Sequence, residues 1–218
     1  IGRRGDARVI VLSGAGEHFC AGADITEFAT VRRDAATART YEAANSAAFA
    51  ALRGSAIPVI AAIRGVCYGG GFGLAAACDL RIATSDARFA VPAARLGLAY
   101  PVDAMVDIVK AAGDQIARYL TLSAQPVDAA TALRAGFLLD VVEPEAFEER
   151  VDSVATAIAT NAPLSIKASR LAIGAVLTGD PALATDAVAA GEATFDSADY
   201  AEGRAAFSER RAPRFEGK

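Results

Sequence analysis

Ile63-Arg64-Gly65-Val66-Cys67-Tyr68-Gly69-Gly70-Gly71-Phe72-Gly73-Leu74-Ala75-Ala76-Ala77-Cys78-Asp79 follows an apolar, β-branched run, Val59 to Ile63, and passes through three consecutive glycines into small residues. That order predicts a strand, a tight turn and the start of a buried helix. Backbone N–H groups at such a start have no partner inside the helix and point at whatever lies in front of it. Glycines there remove the side chains that would keep an anion or a polarised oxygen away. No Asp, Glu, Lys, Arg or His lies between Arg64 and Asp79. The segment reads as a place to hold negative charge.

Outward from it, the first half of the chain alternates strands and helices. Arg8–Leu12 reads as a strand running into the turn Ser13-Gly14-Ala15-Gly16. Residues 34–53 read as a helix, with Tyr41, Ala44, Ala48 and Leu52 near helical spacing. Asp79–Thr84 and Arg88–Val91 read as further strands. Beyond Pro101 the pattern is helical, broken at Gly113, Pro126, Gly136, Pro144, Pro163 and Pro181, with one strand, Leu138–Val142, inserted. An α/β core followed by a helical C-terminal third is expected, with the division at 1–112 and 113–218. Residue 1 falls almost directly before a core strand, so an N-terminal segment is expected to be missing.

The chain has 218 residues, enough for one domain with a substantial core. With 53% hydrophobic and 22% charged residues, disorder is excluded. The 22 Lys and Arg are scattered and the net charge is −4, which argues against nucleic acid as a partner. No apolar run reaches the length of a membrane span, and Arg3 and Arg4 precede no signal-like segment. Cys20, Cys67 and Cys78 are odd in number and lack metal or redox spacing, so buried thiols in a reducing cytoplasm are expected. With one histidine, no metal site is expected.

A second glycine-bearing segment is Val11-Leu12-Ser13-Gly14-Ala15-Gly16-Glu17-His18-Phe19-Cys20-Ala21-Gly22-Ala23-Asp24-Ile25-Thr26-Glu27. Neither glycine segment continues into Gly-Lys-Ser/Thr, which excludes a P-loop. Phe19 stands where a dinucleotide fingerprint needs its third glycine. Asp24 and Glu27 have capping-box spacing, which starts a helix near Ile25 and makes Asp24 a cap. His18 reads either as a general base or as a structural or surface loop residue.

Together the two segments resemble the paired signature of the crotonase superfamily, the enoyl-CoA hydratase/isomerase family. The resemblance is carried by Phe19-Cys20-Ala21-Gly22-Ala23-Asp24-Ile25, by Gly65 to Leu74 and by Cys78-Asp79-Leu80. It continues through Arg88-Phe89-Ala90-Val91-Pro92, Leu96-Gly97-Leu98, Leu120-Thr121-Leu122-Ser123, Ala162-Pro163-Leu164-Ser165-Ile166-Lys167 and the tail 207–215, so nearly the whole chain is covered. The family's opening strand hairpin and its Leu-Asn-x-Pro segment are absent, in agreement with the abrupt start. The implied fold is a crotonase (ClpP-like) spiral of ββα units with a helical C-terminal region that builds trimers or dimers of trimers.

By resemblance, the N–H groups of Ala23 and Gly70 hold the oxygen of an acyl-CoA thioester and stabilise its enolate. Losing one such donor costs about 3 kcal/mol. Hydratases of the family hold glutamates at the positions of Gly73 and Ala93, and hydration needs two such groups. Their replacement here implies weak hydratase activity. Tyr100 resembles a tyrosine of the methylmalonyl-CoA decarboxylase branch, where it would orient a carboxylate; filling the pocket wall is the alternative. Asp103 reads as a base or as a helix-start acid, and Glu27 as an outer-pocket or capping residue. Ala21 and Ile25 are implied to flank the adenine of coenzyme A, with Phe207 and Arg210 contacting it from the tail. Coenzyme A enters as part of the substrate, with no separate cofactor. An acyl-CoA lyase or isomerase, a decarboxylase, a non-catalytic acyl-CoA binder and a scaffolding paralogue all remain open.

Overall fold

The computed structural model describes residues 7–218. Two compact units are present among them. One contains Val11–Ser55 and Val59–Val151; the other contains residues 7–10, Ala56–Pro58 and Asp152–Lys218.

The first unit is α/β, as the alternation in the sequence predicts. Strand β1 (Ile10–Ser13) leads through a 3₁₀ turn (Ile25–Glu27) to helices α1 (Phe28–Val31) and α2 (Ala35–Arg53). Then come β2 (Val59–Ile63), β3 (Val66–Tyr68), α3 (Gly70–Ala77), β4 (Leu80–Thr84) and β5 (Arg88–Ala90). A 3₁₀ turn at Pro92–Leu96 precedes α4 (Val102–Arg118), β6 (Val127–Asp128), α5 (Ala129–Arg134) and β7 (Asp140–Val142); α6 (Phe147–Ala159) begins in this unit, and its residues from Asp152 on belong to the other. The strands form two sheets, ordered β1-β2-β4-β7 and β3-β5-β6, and from β2 to β5 they are dealt to the two in turn. The ββα repeat follows from this: β2 joins one sheet, β3 the other, and α3 returns the chain to β4.

Every residue of β2 is buried, which is why its sequence is continuously apolar rather than alternating. It pairs in parallel with β4, Ile60 opposite Leu80 and Ile63 opposite Ala83. Asp79 fixes that register from both sides. Its N–H donates to Val59 O (2.9 Å) and its carboxylate accepts from Val59 N (2.7 Å). Helix α3 is apolar all round and six of its eight residues are buried. Phe72 stacks on Phe137 at 4.5 Å, and Phe89 meets Phe137 edge-on at 5.5 Å. At the far end of α3, Arg81 donates to Ala75 O (3.2 Å), Cys78 O (2.7 Å) and Phe137 O (2.5 Å). A guanidinium thus meets the carbonyl end of the helix dipole.

Several local expectations shift by a residue or two. The first strand begins at Ile10 and extends to Ser13. The last begins at Asp140, because Phe137 and Leu138 are taken into the core and Leu139 N donates to Arg81 O. Helix α2 starts at Ala35 with a full capping box between Asp34 and Thr37. Asp24 does cap, but its carboxylate takes Thr26 N and Thr26 Oγ1, and the reciprocal bond from Glu27 is not made. The core contact of α2 is Phe49, whereas Ala44 and Ala48 are exposed. The break expected at Gly113 is present: inside α4 its φ of +76° and ψ of 163° are non-helical, and two helical stretches meet there.

The second unit carries the helices α7 (Pro163–Thr178), α8 (Pro181–Glu192) and α9 (Ala198–Glu209). Pro163 and Pro181 stand at helix starts, where a missing N–H costs nothing. Helices α7 and α8 pack closely: a Cβ on Gly174 would lie 3.1 Å from Leu183 Cδ2. Buried Asp199 draws the tail back onto α9, accepting from Glu216 N (2.7 Å) and Gly217 N (2.9 Å). No helix among the described residues is long and apolar enough to cross a membrane.

Candidate active site

The turn before α3 is built on Gly69, whose φ of +51° favours glycine. Gly69 N donates to Ala90 O (2.8 Å), while Gly69 O accepts from the Tyr100 hydroxyl (2.6 Å) and from Gly73 N (3.2 Å). No side chain caps α3. The Gly70 N–H, first in the helix, has no acceptor among the described residues.

Alongside runs the Phe19–Ala23 segment, held to β3 as a short added strand. Cys20 N donates to Val66 O (3.1 Å) and Cys20 O accepts from Tyr68 N (2.9 Å). The approach is close enough that a Cβ on Gly71 would stand 2.5 Å from Cys20 O. Gly22, at φ +100°, then swings the chain against the turn; a Cβ there would lie 3.7 Å from Gly70 N. Ala23 N–H, like Gly70 N–H, has no acceptor among the described residues. Both residues line one cavity of about 210 Å³. That is smaller than the usual pocket of a drug-sized ligand and suits an acyl group rather than a whole coenzyme.

Phe49, Leu74, Ala93 and Leu98 give the cavity an apolar lining, with Tyr100 beside them. The space next to Gly73 is full: a Cβ would lie 2.7 Å from Phe49 Cζ and 3.2 Å from the Tyr100 hydroxyl. Burial, and then the charge of Glu42, push the Tyr100 hydroxyl well above the ordinary tyrosine value. It therefore stays protonated at neutral pH and spends its proton on Gly69 O. Burial likewise raises Cys78 to about 12 and Cys67 upward, so neither is a thiolate nucleophile near pH 7.

Of the residues singled out in the sequence, Ala23, Gly70 and Tyr100 share this cavity, and Asp103 does not line it. Asp103 sits half-buried in the first turn of α4. Ala21 and Ile25 are exposed, the latter at 58%. Glu27 ends the 3₁₀ turn and is exposed. Phe207 and Arg210 belong to the second unit, both exposed, with Arg210 in the left-handed position that ends α9. His18 is exposed outside the cavity, its Nδ1 facing Val66 N at 3.5 Å.

Arg32, Tyr41, Glu42 and Asn45 line the cavity and were not anticipated. Their signal in the sequence is the stripe Glu42, Asn45, Phe49 at i, i+3, i+7, which places two polar side chains on the face that buries Phe49.

A family model for enoyl-CoA hydratase/isomerase matches residues 3–218. The chain is similar to the short-chain-enoyl-CoA hydratase of Clostridium acetobutylicum, with 36% identity over 205 residues, covering 93% of this chain and 77% of that protein. It is equally similar to the (E)-benzylidenesuccinyl-CoA hydratase of Thauera aromatica, 36% identical over 216 residues, which cover 97% and 82% of the two chains. Among solved structures, the enoyl-CoA hydratase/carnithine racemase from Magnetospirillum magneticum superposes with a TM-score of 0.93 at 32% identity, covering 100% of this chain and 82% of that one. The enoyl-CoA hydratase from Bacillus anthracis gives 0.90 at 30% identity, covering 100% and 84%. With its two sheets, its glycine turn and a match that spans the described residues, the chain belongs to the enoyl-CoA hydratase/isomerase family and has the crotonase fold.

Proposed function

We propose that the chain binds acyl-CoA thioesters and stabilises their enolates through the N–H groups of Ala23 and Gly70. The observation that carries this reading is the meeting of two partnerless backbone donors at one acyl-sized cavity. Enolate formation moves charge onto the thioester oxygen, and fixed donors stabilise it there without reorganisation. Relatives named as enoyl-CoA hydratases support the substrate class.

The reaction we assign does not use a glutamate pair. Water addition needs one group to activate water and another to protonate Cα. Gly73 and Ala93 stand at the two positions concerned, and Glu42, the acidic side chain in the lining, is ion-paired with Arg32. Decarboxylation of the methylmalonyl-CoA type suits such a site. The C–C bond to the carboxylate breaks, CO₂ leaves, its electron pair remains as the enolate, and Cα then takes a proton from water. Tyr100 braces the turn that carries Gly70, and Asp103 remains the candidate base for an isomerisation. A non-catalytic acyl-CoA binder is the second reading, favoured by the filling of the space at Gly73 by Phe49 and Tyr100.

In this proposal Ala21 and Ile25 flank the adenine, Phe207 and Arg210 meet the coenzyme from the tail, and no metal or redox cofactor takes part. Residues 1–112 carry the thioester site and 113–218 the assembly surface. The protein works in the cytoplasm, without nucleic-acid or membrane partners, as a homotrimer or dimer of trimers. Apolar side chains exposed on α7 and α8 support assembly, among them Ile173 (60%), Val176 (84%) and Val188 (62%). Light scattering reads the assembly state, and a monomer would refute it.

Calorimetry with coenzyme A thioesters, followed by parallel assays of crotonyl-CoA and methylmalonyl-CoA, tests the chemistry. Binding, negligible hydration and measurable decarboxylation are expected. Robust hydration of crotonyl-CoA would overturn the assigned reaction, binding without turnover would favour the second reading, and absence of binding would overturn the site itself.

A further inference from the structure

One wall of the cavity carries a polar cluster that enolate stabilisation does not use. Arg32, which ends α1, is clamped on three sides. Its guanidinium carbon lies 4.7 Å from the centre of the Phe28 ring and 4.5 Å from that of Tyr41, and a terminal nitrogen pairs with Glu42 at 2.5 Å. Its side chain is only 11% exposed, and its buried Nε has no hydrogen-bond partner among the described residues. Asn45 stands one turn beyond Glu42 on α2, and all three residues line the cavity. The rest of the lining is mostly apolar. An apolar pocket with a few fixed polar groups discriminates between ligands through those groups.

We infer that Arg32, Glu42 and Asn45 select the distal end of the acyl group, favouring one that carries an uncharged oxygen beyond Cα, a hydroxyl or a keto group, over plain hydrocarbon and over a distal carboxylate; a carboxylate on Cα itself, next to the thioester carbon, is outside this selection. The inference rests on the acyl-CoA reading given above. Arg32 and Glu42 together have no net charge. A second carboxylate brought to Arg32 would face Glu42 in a partly desolvated site, where like charges repel strongly. A keto or hydroxyl oxygen accepts from Arg32 or Asn45 without that penalty, and a hydroxyl also donates to Glu42. A hydrocarbon displaces water from these groups and returns no hydrogen bond, which a site built to bond its ligand penalises. The two aromatic rings hold the guanidinium in place beforehand, so little freedom is lost when a ligand arrives.

Four thioesters with four-carbon acyl groups test this on the full chain by calorimetry: butyryl-, 3-hydroxybutyryl-, acetoacetyl- and succinyl-CoA. Wild type is expected to bind the hydroxy and keto compounds about tenfold more tightly than butyryl- or succinyl-CoA, the yield of roughly one net hydrogen bond. Glu42→Gln keeps the shape and removes the negative charge, so succinyl-CoA should gain about tenfold while butyryl-CoA stays unchanged. Arg32→Met should erase the preference. If that variant does not fold, as its thermal midpoint would reveal, the wild-type series and Glu42→Gln carry the test. Equal binding of all four thioesters by wild type overturns the selection, as does an equal loss for all four in Glu42→Gln. No binding of any thioester would overturn the acyl-CoA reading and the inference with it.

Discussion

A Cβ on Gly73 would press on Phe49 and the Tyr100 hydroxyl at once, so the position that resembles the family's first glutamate is filled by neighbours rather than open. The absence of an acid there is built into the packing of α2 and α4 against α3. Restoring it takes more than one substitution. Gly73→Glu with Ala93→Glu is expected to lose stability by about 1–3 kcal/mol through overpacking and to gain no hydration of crotonyl-CoA. Adding Phe49→Leu removes the atom at 2.7 Å and should recover part of that stability together with measurable hydration. Thermal unfolding and the crotonyl-CoA assay read the two effects separately. Full hydration by the two-site variant would show that the Phe49 ring moves aside at little cost.

Around α3 three aromatic rings from separate elements interlock, Phe72 of α3, Phe89 of β5 and Phe137 before β7. Phe137 contacts both of the others and its carbonyl accepts from Arg81, so Phe137→Ala should cost about 3–5 kcal/mol in urea unfolding. A loss below about 1 kcal/mol would mean that the cavity collapses freely. Elements of this kind were legible wherever the signal is local. The run Val59–Ile63 is buried end to end because both faces of its sheet are covered, and the helix after Gly69 starts where the small residues begin. Strands β3 and β6 were not legible, since three and two residues carry no periodicity and their partners are remote. Cys67 of β3, for example, lies between Cys20 and Phe89. The polar wall of the cavity was hidden for a different reason: in sequence, Arg32, Glu42 and Asn45 look like a solvated face. The glycines at 22, 69 and 71 were visible, but which of them keep backbones close could be read only once Cys20 and Gly70 had positions.

At the scale of the whole molecule, acid should loosen the tail of the second unit. Glu202 is held at about 2, against an ordinary 4.5, by the side chain of Arg211 and then by the N–H of Arg214. Its contribution is present above the ordinary glutamate value and is lost as pH falls from there toward about 2. The Arg214 amide resonance is expected to hold its folded position at pH 6 and move to the random-coil value across that window. In Glu202→Gln it should already be displaced at pH 6; an unchanged resonance would show that Asp199 alone secures the tail. In the first unit charge is arranged differently. Arg81 meets the carbonyl end of α3, and the amide end at Gly70 meets no acceptor among the described residues. The eight residues of α3 make a rod about 12 Å long. Such a rod behaves like a battery with one terminal already earthed inside the fold. An incoming anion at Gly70 then meets the live terminal, and the counter-pole that would otherwise weaken its attraction is neutralised before it arrives.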